Sequence, residues 1–102
     1  MPAQDGPSSG SDAEVVTDNP ERQRFELLVE GQIAFAEYER GPGLLRIVHV
    51  ETPPALRGGG VAARLMKGML EIVRKTGMKV APRCSYAEAY IRRHPEYQDL
   101  IG

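Results

Sequence analysis

The segment that most constrains this chain is Arg57-Gly58-Gly59-Gly60-Val61-Ala62. It follows a run rich in branched apolar residues, Leu44 to Glu51, and opens an amphipathic stretch, Val61 to Thr76. Three consecutive glycines bury no side chain and cost backbone entropy on folding. A helix start tolerates them where its unpaired N–H groups must approach something closely. The bare amides and the helix dipole both favour an anion there, and phosphate is the usual one. The segment therefore implies a strand, a glycine loop and a helix arranged around a phosphorylated ligand.

A chain of 102 residues is expected to form one domain, and a net charge of −1 speaks against nucleic acid as a partner. Met1 to Arg22 stands apart from the rest. It carries five acids (Asp5, Asp12, Glu14, Asp18, Glu21) against one base, Arg22, among several prolines, glycines and serines. Such a segment does not offset its ordering entropy, so residues 1–22 are expected to be a disordered acidic tail and 23–102 the folded domain. The tail lacks the basic start and apolar core of a signal peptide. No run approaches the roughly 20 apolar residues of a membrane helix. The single cysteine excludes an internal disulfide and fits a reducing, cytoplasmic setting.

Within the domain, Phe25, Leu27 and Val29 alternate as in a half-buried strand. Gly31-Gln32 is a candidate hairpin turn, and Ile33 to Arg40 the returning strand, with Ile33 and Phe35 on one face. Gly41-Pro42-Gly43 makes a second turn before the strand Leu44–Glu51, which Pro53-Pro54 ends. From Val61 to Thr76 the period becomes helical, and Gly77 is a helix stop. Met78 to Cys84 reads as a short fourth strand, with Pro82 marking an edge or a bulge. Ser85-Tyr86-Ala87-Glu88 matches a capping box for a second helix ending near Arg93. Tyr97, Leu100 and Ile101 are expected to dock the C-terminal segment. The third and fourth strands flank a helix and are expected to pair in parallel. The fold class is thus α/β, a mixed and mainly antiparallel sheet of about four strands with two main helices.

Three phosphate motifs compete for the loop. A P-loop needs Lys followed by Ser or Thr, but Gly60 is followed by Val61-Ala62. A Rossmann fingerprint is formally present at Gly58, Gly60 and Ala63, yet Val80 to Arg83 holds no ribose-binding acid. The third pattern is Arg/Gln-x-x-Gly-x-Gly/Ala, matched by Arg57, Gly60 and Ala62. Around it stand Ile47-Val48-His49-Val50-Glu51, Val80-Ala81-Pro82-Arg83-Cys84-Ser85-Tyr86 and Tyr90-Ile91 with His94-Pro95-Glu96-Tyr97. In this order the segments resemble the short, stand-alone GNAT-like N-acetyltransferases, over about Phe25 to Ile101. Members of that family usually carry His-Thr-Glu where this chain has His49-Val50-Glu51, and proline where it has Ser85.

The resemblance implies that Arg57, Gly58, Gly59, Gly60, Val61 and Ala62 hold the CoA pyrophosphate. It also implies that pantetheine lies between the strands flanking the first helix, beside Val50. The implied reaction moves an acetyl group from acetyl-CoA, as co-substrate, to an unknown amine acceptor. A CoA- or acetyl-CoA-binding module without turnover is the alternative. Deprotonating an amine calls for a base, and His49, at the end of the third strand, is a candidate; it is equally readable as a strand histidine bonded locally. Cys84 stands before a helix N-terminus, which biases a thiol toward thiolate and so toward a covalent acetyl route. A small buried packing residue is the other reading of Cys84. Tyr86 is the candidate acid for the departing thiolate, a role the resemblance supports. No metal is expected.

Overall fold

The computed structural model describes residues 15–102; the part of the expected tail from Met1 to Glu14 lies outside them. Five strands form one sheet in chain order: β1 (Thr17–Asn19), β2 (Arg24–Val29), β3 (Gln32–Gly41), β4 (Leu44–Glu51) and β5 (Lys79–Pro82). The first three pairings are antiparallel and β4–β5 is parallel. Helix α1 (Val61–Thr76) joins β4 to β5, and α2 (Ser85–Arg93) follows β5. Short 3-10 turns cover Pro54–Leu56 and Pro95–Leu100. The mixed, mainly antiparallel sheet with two helices is the architecture the residue pattern implied, with five strands where about four were expected.

The added strand is β1. It falls inside the segment expected to be a tail, so that boundary at residue 22 does not hold. Composition offers β1 little, but tertiary bonds hold it. Tyr38 Oη donates to Asp18 at 2.6 Å, and Asn19 donates to Glu26 at 3.1 Å. Val16 lies so close to α1 that a Cβ at Gly68 would fall 2.7 Å from the Val16 Cβ.

Alternation decides which sheet face is buried. Phe25, Leu27 and Val29 of β2, Ala34, Ala36 and Tyr38 of β3, and Leu45 and Ile47 of β4 are buried against Leu65, Met66, Met69, Leu70 and Val73 of α1. Each such large side chain contributes about 1.5–3 kcal/mol by leaving water. Ala34 and Ala36 are small enough for α1 to approach. Ile33 and Phe35 do share a face, but it is the opposite one, where Leu28 and Ile33 are 55% and 41% exposed. The β2–β3 turn sits one residue earlier than expected, at Glu30-Gly31, where both φ angles are positive (52° and 76°) as a type I′ turn requires. Helix α2 joins the same core through Ala87, Tyr90 and Ile91. Tyr97 and Leu100 dock as expected. Ile101 does not bury its side chain; its backbone instead bridges Val80 in parallel.

Candidate functional site

Because β4 and β5 are parallel neighbours, their carboxyl ends and the N-termini of α1 and α2 meet at one end of the sheet. That is where ligands bind in open α/β sheets. The strands pair only from Leu44–Lys79 to Ile47–Pro82, with a last bond from the Arg83 N–H to the Ile47 carbonyl at 2.8 Å. Beyond this point β4 runs on through Val48–Glu51 and no described strand pairs with it on that side. A cleft therefore opens between the two strand ends.

The glycine loop borders this cleft. Arg57 anchors its start, donating from Nε to the Thr52 carbonyl at 3.1 Å. Gly58 and Gly60 sit at φ 87° and 77°, the left-handed region that a side chain disfavours. Gly60 caps α1 without any side-chain acceptor, and the first helical bond runs from the Arg64 N–H to the Gly60 carbonyl at 3.1 Å. The N–H groups of Val61, Ala62 and Ala63 thus have no intrahelical acceptor. No acid stands in the first turn of α1 to compete for them. The Arg64 guanidinium braces the loop by donating to the Gly59 carbonyl at 3.0 Å. A cavity of about 270 Å³ opens here, walled by Thr52, Leu56, Arg57, Gly58, Gly60, Val61 and Ala62 and, from α2, by Tyr86. A larger cavity of about 410 Å³ lies between β5 and α2, beside Arg83 and Arg92, and includes none of these residues. The chemistry of the loop, not cavity size, makes the smaller one the candidate site.

A β-bulge sets the direction of His49. Tyr38 pairs with Ile47 and Glu37 with His49, which leaves Val48 as the extra residue of β4. Strict alternation after Ile47 would turn His49 toward the helices. The bulge turns it, with Glu51, to the open face. There the half-exposed imidazole bonds through Nε2 to Glu51 Oε1 at 2.9 Å, and its ring lies 6.1 Å from that of Phe35. Val50 points the other way and packs, half-buried, against the core.

At the other lip of the cleft, Cys84 is the N-cap of α2. Its Sγ accepts the Ala87 N–H at 3.5 Å, and its carbonyl takes the Glu88 N–H at 3.0 Å. Ser85, expected to be the cap, is instead the first helical residue; Cys84 has the extended backbone (φ −105°, ψ 154°) that a cap requires. The thiol is partly buried and packed against the core. Tyr86, 40% exposed, faces the loop cavity, where burial pushes its hydroxyl pKa up, opposed by the charge of Arg93. His94 bonds through Nδ1 to the Tyr90 carbonyl at 2.7 Å and stacks on Tyr90, away from the cleft. Of these three residues, Tyr86 alone lines the loop cavity; His49 stands on the open sheet face and Cys84 caps α2, and among the described residues no hydrogen bond joins them to one another. Sequence reading missed Thr52 and Leu56 as cavity walls, though Thr52-Pro53-Pro54 marks where the chain must turn into the loop. It also missed the Glu51 bond to His49, which depends on the bulge.

A sequence model of the family described as GCN5-related N-acetyl-transferase matches residues 24–100. The chain belongs to the GCN5-related N-acetyltransferase family. Protein NATD1 of Mus musculus is 30% identical to this acetyltransferase-family chain over 84 residues, spanning 78% of this chain and 76% of the mouse protein. Protein NATD1 of Homo sapiens is 33% identical over 60 residues, spanning 59% and 53%. A GCN5-like protein from Staphylococcus aureus, solved by NMR, shares the fold with a TM-score of 0.63 over 88% of this chain and 89% of its own, at 19% identity. Among the described residues of this family member, no helix is long and apolar enough to cross a membrane, and no cluster of side chains suits a metal ion.

Proposed function

We propose that this GNAT family member binds acetyl-CoA at the glycine loop and transfers the acetyl group to an amine. The observation that carries this reading is the start of α1, where three N–H groups lack acceptors beside a cavity with no acid near them. Those donors, with the outer nitrogens of Arg57, suit the CoA pyrophosphate. The unpaired edge of β4 from Val48 to Glu51 suits the pantetheine amides, which would add to the strand as a peptide does, with Val50 packing beside them. When bound, acetyl-CoA supplies an activated acyl carbon and a thiolate leaving group.

The residues of the chain would do the rest. His49 reaches the cleft from the open sheet face and takes the proton from the acceptor nitrogen. Tyr86 reaches it from the loop side; its raised pKa keeps it protonated at neutral pH and able to give a proton to the departing sulfur. Cys84 stands at the α2 N-terminus, positioned to line the cleft or to carry the acetyl group covalently.

The test is to incubate the protein with acetyl-CoA and a panel of primary amines, following free thiol and protein mass. Thiol release that depends on an amine supports the proposal. An acetyl adduct on Cys84 without amine, together with loss of turnover in Cys84→Ala, selects the covalent route; full turnover in Cys84→Ala selects direct transfer. Saturable binding without transfer to any amine would make the chain a CoA-binding module, and no saturable binding would refute both.

A further inference from the structure

We infer that Glu51 is a positioning residue that locks the His49 ring in one tautomer, so that Nδ1 and not Nε2 receives the proton of the acceptor amine. This rests on the acetyltransferase reading of the site. Residues i and i+2 of a strand share a face, and the Val48 bulge carries both His49 and Glu51 to the open side of the sheet. Glu51 Oε1 lies 2.9 Å from His49 Nε2. An ionised carboxylate only accepts hydrogen bonds, so a neutral imidazole facing it carries its proton on Nε2. The lone pair is then on Nδ1, to which no described group is bonded.

The ring is bounded on another side by Phe35, which lies opposite Glu51 on β3. The guanidinium of Arg24 covers the Phe35 ring at 4.3 Å from its centroid and is itself tied to Glu26 at 2.7 Å, so it does not compete for Glu51. The charged groups on this face of the strands around His49 are Glu51 on β4, Glu37 directly opposite on β3, and the Arg24–Glu26 pair on β2.

The proton balance is simple. As the acceptor nitrogen forms its bond to the acyl carbon, its proton passes to Nδ1. The carbon–sulfur bond breaks with its electron pair going to sulfur, and the Tyr86 hydroxyl supplies the sulfur with a proton. The imidazolium proton returns through solvent to the tyrosinate. Glu51 touches neither substrate in this scheme and acts through His49. Because both partners are about half exposed, their pairing adds little stability, which separates positioning from a structural role.

The experiment combines ring ¹⁵N NMR of His49 with steady-state kinetics for wild type, Glu51→Ala, His49→Ala and the double variant. In the wild type the spectrum shows protonated Nε2 and bare Nδ1, and in Glu51→Ala the two tautomers mix. Glu51→Ala lowers kcat by about tenfold or more, a part of the roughly 10²–10⁴-fold that a general base contributes, and leaves the KM for acetyl-CoA and the melting temperature unchanged. In the His49→Ala background it costs nothing further. A proton on Nδ1 in the wild type overturns the inference, as does an unchanged kcat in Glu51→Ala or a loss that adds in full to that of His49→Ala. A wild-type protein without turnover overturns the acetyltransferase reading instead, and the ring spectrum then decides separately whether Glu51 holds the tautomer.

Discussion

Two adjacent glycines of the loop carry opposite expectations. Gly60 adopts φ 77°. A Cβ there would lie 3.6 Å from Arg64 Nη1, an ordinary contact, so the cost of Gly60→Ala is conformational rather than steric. Holding an L-residue in the left-handed region costs about 1–2 kcal/mol. For a domain of this size each kcal/mol lowers Tm by about 4–8 °C, giving an expected drop of about 4–16 °C. Gly59 has no positive φ, and its Cβ would meet only the Leu56 carbonyl at 3.5 Å. Gly59→Ala is therefore expected to leave Tm unchanged or raise it slightly, because restricting the unfolded chain contributes about 0.4–1 kcal/mol. Thermal unfolding followed by circular dichroism, with and without CoA, reads both effects. Gly60→Ala should also shrink the stabilisation by CoA, since relieving the strain rotates the α1 N–H groups out of the cavity. Equal destabilisation by the two variants, or a neutral Gly60→Ala, would refute the argument that backbone conformation dictates this loop.

Gly68→Ala should gain about 1 kcal/mol of helix propensity yet displace Val16, so hydrogen exchange at Thr17–Asn19 should speed up while Tm changes little. Tyr97→Phe removes a 2.7 Å bond from the phenol to Glu71 and should cost about 1 kcal/mol in denaturant unfolding; burial and that carboxylate hold the phenol pKa far above its usual range, so the loss should not vary across neutral pH. Glu26 is held below its ordinary value of 4.5, first by its hydrogen bond to Arg24 and then, against the cost of burial, by the bond from Asn19. A lowered carboxylate pKa contributes stability that is complete above pH 4.5 and is lost as pH falls through the native value. Arg24→Ala should flatten that acid limb of a stability–pH curve.

Much of the fold was legible because it rests on periodicity. The alternation of Phe25, Leu27 and Val29 gave β2 its buried face, and the helical spacing from Val61 with Gly77 as stop gave α1 both its ends. The strand–helix–strand order gave the parallel β4–β5 pair, and with it the end of the sheet where the glycine loop sits. What escaped the sequence depends on contacts between distant residues. Strand β1 has three residues and no apolar alternation; it exists through Asp18–Tyr38, Asn19–Glu26 and the Val16–Gly68 approach. The Val48 bulge is a matter of register between β3 and β4, so the face on which His49 and Glu51 stand was not readable from β4 alone. The cap of α2 passed from Ser85 to Cys84 because the extended backbone comes one residue earlier than the capping-box pattern implies.

The most direct test of the account is a titration of ¹⁵N-labelled protein with acetyl-CoA, followed by backbone amide shifts. Saturable changes are expected at Gly58 to Ala63, along Val48 to Glu51, and at Cys84 to Tyr86. Changes confined to the cavity beside Arg83 and Arg92, or no saturable change at all, would contradict that expectation.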